Sequence, residues 1–266
     1  MKLFITFSSL VLLSTSLSAF AVEPAATSTK PTNAIPPEER AKIEEVVHNY
    51  LVQKPEVLME AMQTLQRRQF DEAQKTVKQT QQTASQFASS LFQQKNDPVT
   101  GNPNGKVTVT EFFDYQCPHC VDMAPVLKEI KKTNPTLRIV YKEFPIRGDM
   151  SILAARAALA ANKQGKYEEF NYVVLTAPQP LTEKGLFEAA GKIKGLNVDQ
   201  LKKDMKDKSI DEQLKANQTL AMNLKLFGTP AFFIAKTDVK KEGDVLYIPG
   251  QVNQAQLQDA INKMSK

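Results

Sequence analysis

Cysteine is nearly absent from this chain, with two in 266 residues, and histidine is equally scarce. That scarcity argues against a closed zinc site. Tetrahedral zinc takes four ligands, and the only Cys and His residues are Cys117, Cys120, His119 and the distant His48, so no metal is expected. No phosphate-cradling glycine motif occurs, and no bound cofactor is expected. Neither sign of charge dominates: a formal net charge of +5 with 24% charged residues is too mild and diffuse to imply a nucleic-acid partner. Beyond the N-terminus, no cysteine stands where a lipid anchor would need one.

The two cysteines lie together. Val107 to Cys120 reads VTVTEFFDYQCPHC, an apolar, β-branched and aromatic run ending in Cys117-Pro118-His119-Cys120, and Val121 to Lys132 has a helical pattern. The pair therefore sits where a buried strand becomes a helix. Positions i and i+3 share one side there, so a small disulfide ring closes with little backbone movement. Unpaired N–H groups and the positive end of the helix dipole favour an anion at Cys117, Pro118 suits the first helical position, and a charged His119 adds a second positive group. The spacing predicts reversible redox chemistry. Cys117 is expected to be the nucleophile that carries a mixed disulfide, and Cys120, less exposed, to resolve it or re-form the Cys117–Cys120 disulfide. Blander readings stand beside this one: half of a metal site, a structural disulfide that restricts the unfolded chain little, or, for His119, a spacer facing solvent.

Met1 to Ala21 has an early lysine, an apolar centre and the ending Ala19-Phe20-Ala21, which reads as a signal peptide cleaved before Val22. Its apolar core is short for a membrane anchor. Residues 22–35, rich in Pro, Thr, Ala and Ser, read as a disordered leader. From Pro36 the pattern is helical, with Ile43, Val46, Val47, Tyr50 and Leu51 on one face, and a second helix follows Pro55 with Val57, Leu58, Ala61, Met62 and Leu65. The glutamine-rich stretch after it propagates a helix and holds few apolar residues. Such helices bury too little to stand alone, so residues 36–95 are expected to form an oligomerisation region, a homodimer by default of closed symmetry. Folding back onto the rest of the same chain is the alternative.

Asn96 to Gly105 reads as a turn-rich boundary opening a domain over 96–266. Leu137 to Phe144 is a second buried strand, expected parallel to the first. Helical stretches follow at 149–162, 168–175, 183–193, 198–206 and 210–226. Ala231 to Ala235 and Val245 to Ile248 read as a hairpin, and Gln254 to Met264 as a closing helix. The triplet Asn217-Gln218-Thr219 falls inside a helix and is set aside as a glycosylation site.

Glu111-Phe112-Phe113, three residues, then Cys-Pro-His-Cys resembles the active-site signature of DsbA-like thioredoxin-fold oxidoreductases. Gly228-Thr229-Pro230 followed by Ala231 to Ala235 is similar to that family's cis-proline loop and next strand. With its helical extension the chain looks most like the subgroup that includes a 27 kDa outer-membrane-associated antigen. The resemblance implies an α/β thioredoxin-like fold with a helical block inserted over about 149–226. It also implies a periplasmic site, with outer-membrane association possible for this subgroup, exported cysteine-containing client proteins, and a membrane or periplasmic redox partner that resets the pair. Glu111 would be a buried acid assisting proton movement; a surface glutamate at a strand end is the competing reading. Thr229 and Pro230 would form the substrate-binding wall, with the Thr229 backbone pairing to an extended client. Pro-His between the cysteines is typical of strong oxidants, whereas threonine before the cis-proline and a self-associating N-terminus are typical of isomerases. The expectation is a disulfide donor with added isomerase activity. The alternatives are mainly an isomerase or reductase, or a non-catalytic chaperone or surface interaction protein.

Overall fold

The computed structural model describes residues 35–239 and 244–266. The expected signal peptide, all of the expected leader but Ile35, and part of the turn before Val245 lie outside the described residues. Two compact units divide the chain, the first described from residue 35 to Met62, the second running from Gln63 to Lys266.

Helix α1 (Pro37–Gln53) starts as the sequence predicts, with proline at its beginning and Glu38 and Glu39 in its first turn, where the dipole favours acids. It has no buried residue. Ile43, Val46, Val47 and Tyr50 are all exposed. Helix α2 (Glu56–Thr83) begins in the first unit and likewise leaves Leu58, Met59 and Met62 exposed.

The second unit is built on a five-stranded sheet in the order β1-β3-β2-β4-β5. Its centre is β2 (Val107–Phe113), buried at every position, as a strand covered on both faces must be. Helix α4 (Pro118–Thr133) carries the chain from β2 to β3 (Leu137–Glu143), which lies parallel to β2 in the register Val107↔Leu137 to Phe113↔Glu143. On the other side of β2 runs β4 (Ala231–Lys236), antiparallel, followed by β5 (Val245–Pro249) as its hairpin partner. Between β3 and β4 stand α5 (Asp149–Lys163), α6 (Tyr167–Leu175), α7 (Glu183–Gly191), α8 (Val198–Asp204) and α9 (Lys208–Asn223). These are the inserted helical block. The closing helix α10 (Gln254–Ser265) opens with a capping box between Asn253 and Gln256.

Each face of the sheet has its own apolar cluster. One joins Val109, Phe113, Ile139 and Tyr141 to both cysteines, α4, α10 and most of the inserted block. The other joins Phe112, Phe233 and Tyr247 to Leu220, Ala221 and Leu224 of α9 and to Ala84, Leu91 and Phe92. The last group belongs to the glutamine-rich stretch, within residues 36–95. Leu91 and Phe92, in the short helix α3 (Ala88–Phe92), are buried under the sheet. Arg138 donates to the Phe92 carbonyl at 2.7 Å, Lys142 to that of Ser90 at 2.6 Å, and the Thr80 hydroxyl to that of Leu224 at 2.8 Å. The redox unit thus takes in chain from Gln63 onward, because these few apolar side chains fill one face of its sheet.

The predicted boundary at Asn96 to Gly105 also holds a strand, β1 (Val99–Gly101), antiparallel to β3. Gly101 adopts φ +75°, and a Cβ there would meet the Leu137 carbonyl oxygen at 2.4 Å. Only glycine fits so close to the neighbouring strand. Asn217, from the set-aside triplet, is buried and donates to the Glu143 carbonyl at 3.1 Å, which leaves its amide engaged in the core.

Candidate active site

Central strand β2 delivers the chain to the end of the sheet at Asp114, where the turn into α4 begins. Cys117 caps that helix with extended backbone (φ −83°, ψ 116°), Pro118 occupies its first position, and the N–H groups of Cys120 and Val121 both reach the Cys117 carbonyl at 3.0 Å. Proline there loses no intrahelical bond, and the chain enters the helix with the cysteines one turn apart.

Both cysteines are free thiols, so the structure describes the dithiol state. Both are fully buried. This differs from the expectation that Cys117 is the more exposed sulfur. The reason is Thr229, whose carbonyl oxygen lies 3.2 Å from the Cys117 sulfur and accepts its S–H, while Pro118 and His119 between the cysteines stay exposed. The Thr229–Pro230 bond is cis, as the resemblance implied. The Thr229 hydroxyl is buried and has no hydrogen-bond partner among the described residues.

The two sulfurs differ strongly in acidity. Cys117 is drawn down to about 5, chiefly because the Cys120 thiol hydrogen-bonds to it, against the opposing effect of burial; the Cys120 backbone N–H and the positive charge of Arg147 add to the lowering. Cys120 is pushed far up, first by burial, then by its bond to Cys117 and by the negative charge of Glu111. The helix start contributes the Cys120 N–H, and the cationic group beside the sulfur is Arg147. His119 faces elsewhere: its Nδ1 lies 2.8 Å from the Gln251 side-chain oxygen, and the Gln251 amide reaches Asp122 at 3.3 Å.

Glu111 is buried and its Oε2 has no partner among the described residues; the burial removes the surface-glutamate alternative. Burial, and secondarily the charge on Cys117, raises its pKa well above the ordinary carboxyl range. Burial thus favours the protonated form of the carboxyl, which interacts electrostatically with both cysteines.

Asp114 was not singled out from the sequence, yet it organises the site. Its Oδ1 accepts from the Gln116 N–H and the Ser151 hydroxyl, each at 2.7 Å, and its Oδ2 accepts from the Ile146 and Arg147 N–H groups at 2.7 and 3.1 Å. It clamps the turn before Cys117 to the loop after β3 and so holds Arg147 near the sulfur. An Asp two residues before a hydrogen-bonded N–H is a recognisable turn former, and that signal was available in the sequence. Arg147 and Gln251 gave none, because tertiary folding alone brings them to the site.

No group of three or more His, Cys, Asp or Glu suited to a metal exists among the described residues.

Residues 108–262 match the model of the DSBA-like thioredoxin domain, and residues 39–72 match that of the copper resistance protein ScsC N-terminal domain. A thioredoxin-like oxidoreductase from Silicibacter pomeroyi is 40% identical, with a TM-score of 0.60 over 66% of this chain and 95% of that one. BcfH from Salmonella enterica Typhimurium is 32% identical, with a TM-score of 0.63 over 86% and 97%. Among curated relatives, the probable disulfide bond formation protein D of Bacillus anthracis is 28% identical over 55% of this chain and 73% of its own length. A Na(+)/H(+) antiporter NhaA 3 from Salinispora tropica is 27% identical over 52% of this chain, but the match spans only 21% of the antiporter.

Proposed function

Since this chain belongs to the family of DSBA-like thioredoxin domains, we propose that it is an exported thiol:disulfide oxidoreductase that donates disulfides to client proteins through Cys117 and Cys120. One observation carries the reading: a Cys117 sulfur with its pKa drawn down to about 5 beside a Cys120 sulfur whose pKa is driven up. A client thiolate attacks the Cys117 sulfur of the oxidised pair, the S–S bond breaks, and Cys120 leaves and takes up a proton. A second client thiolate then attacks the client sulfur of the mixed disulfide, and Cys117 departs as a stabilised thiolate. The client is oxidised by two electrons, which a membrane or periplasmic redox partner later removes from the dithiol. A low leaving-group pKa favours this direction, because it stabilises the reduced protein.

Thr229 before the cis-proline and the N-terminal helices support isomerase activity as well. The apolar residues left exposed on α1 favour burial against a second copy of the chain, a homodimer as the simplest closed assembly. The ScsC-like match over residues 39–72 lies in the same helices. That segment holds no cysteine and a single histidine, His48, so it offers an assembly surface and no ligand cluster. A periplasmic location fits the N-terminal segment read as a signal peptide and the oxidising setting that disulfide donation needs.

Two measurements test the reading: the midpoint potential of the Cys117/Cys120 couple, and recovery of a multi-disulfide client with scrambled bonds. A potential well above about −270 mV, the thioredoxin value, is expected together with recovery. A potential near thioredoxin's removes the donor role, and no recovery removes the isomerase role.

A further inference from the structure

A second buried carboxyl lies on the same face of the sheet as Glu111, and the exchange chemistry described above does not use it. In the parallel register Glu111 stands opposite Tyr141 and Phe113 opposite Glu143, so Glu111 and Glu143 leave the same face of adjacent strands, two residues out of step. That face packs against α4, which carries both cysteines. Glu143 is buried, and its two oxygens are in different surroundings. Oε1 accepts from the Tyr167 hydroxyl at 2.7 Å and the Tyr115 hydroxyl at 3.3 Å, whereas Oε2 has no partner among the described residues.

The groups facing Glu143 come from every element around it. Tyr115 and Asp114 belong to the turn after β2, Glu111 to β2 and Tyr167 to α6; Asn171 of α6 in turn donates to the Tyr115 hydroxyl at 3.3 Å. Burial raises the Glu143 pKa well above the ordinary carboxyl range against the lowering effect of the two tyrosine hydroxyls, and the neighbouring acids Asp114 and Glu111 add to the rise. A cleft of about 660 Å³ between α4 and α6 is lined by Tyr141, Tyr167 and Asn171, with Lys128 and Lys131 also on its wall. Tyr167 thus joins Glu143 to the wall of that cleft.

We propose that Glu143 is a positioning residue for proton transfer at the cysteine pair, standing between Glu111 and the water of the α4–α6 cleft. This rests on the disulfide-exchange reading. When a client thiolate opens the Cys117–Cys120 bond, Cys120 leaves with the electron pair and takes the proton of Glu111. The Glu111 carboxylate takes the proton of Glu143, and Glu143 is reprotonated from the cleft through its tyrosine hydrogen bonds. Each step moves one proton, and no further oxidant or reductant enters.

The test is single-turnover reaction of the oxidised full chain with a model dithiol peptide, followed as a function of pH for wild type, Glu143→Gln, Tyr167→Phe and Glu111→Gln, with reduced-minus-oxidised infrared difference spectra of each. Glutamine retains an acceptor for both tyrosines, so the fold has its hydrogen bonds. Expected is a roughly tenfold slowing in Glu143→Gln that deepens as pH rises and solvent protons grow scarce, a smaller slowing in Tyr167→Phe, and a carboxylic C=O difference band that Glu143→Gln removes. Rates within about twofold of wild type at every pH, with the carbonyl band lost only in Glu111→Gln, overturn the proposal and assign Glu143 a purely structural role. A wild-type protein that does not react with thiols at all removes the exchange reading itself, and this inference with it.

Discussion

The Cys117 sulfur and the Thr229 carbonyl oxygen lie 3.2 Å apart although 112 positions separate them in the chain. That contact joins the start of α4 to the cis-proline loop ahead of β4, and it exists because β2 and β4 are neighbours in the sheet. A client sulfur bound to Cys117 must displace it. Access to the thiol and recognition by the loop are therefore coupled.

Removal of either sulfur separates the chemistry from any client-holding role of the helices. Cys117→Ala is expected to abolish thiol exchange and leave the fold intact. Cys120→Ala should accumulate mixed disulfides with clients, visible on non-reducing gels. A Cys117→Ala protein with undiminished activity towards clients would point to a non-catalytic chaperone.

Asp114 is expected to be among the costliest polar residues to remove. Asp114→Ala strands four donors, two of them backbone N–H groups of the loop that bears Arg147. A loss of about 3 kcal/mol or more in denaturant unfolding is expected, because stranded buried donors cost about 1–3 kcal/mol each before relaxation. The Cys117 pKa should rise in the same variant as Arg147 moves away.

Glu111 makes stability depend on pH. In the native state burial holds its proton well above the ordinary range, whereas the unfolded chain releases it near about 4.3. The stability it contributes is complete below that value and drains away as pH rises toward the native pKa. Glu111→Gln should therefore raise the Tm of the reduced protein by a few degrees at neutral pH and change it little in acid. An equal shift at both would show that the carboxyl is not held protonated.

Self-association should run through the exposed face of α1. A Val46→Asp, Val47→Asp double variant is expected to lower the native mass to that of one chain, measured by light scattering, while leaving the midpoint potential unchanged. A wild type that is already monomeric would remove the oligomer.

Much of the fold was legible because it rests on local signals. The run VTVTEFF reads as a strand buried on both faces, and the helices of the inserted block fall within a few residues of their periodic patterns. The cysteine motif was legible for the same reason, since strand, turn and helix start follow one another in sequence. What escaped depends on pairing across the chain. β1 is three residues long and exists only through its bonds to β3. Leu91 and Phe92 looked like stray apolar residues among glutamines until the far face of the sheet gave them neighbours. Burial of Glu111 was open from the sequence, and burial of Glu143 depends on the parallel register that sets both carboxyls on one face.

The most direct test is the acidity of Cys117, read as the rate of iodoacetamide alkylation of the reduced protein against pH. An inflection at about 5 is expected. An inflection near about 8.5, where free cysteine ionises, would contradict the account: Cys117 would then be an ordinary thiol with no bias towards giving its disulfide away.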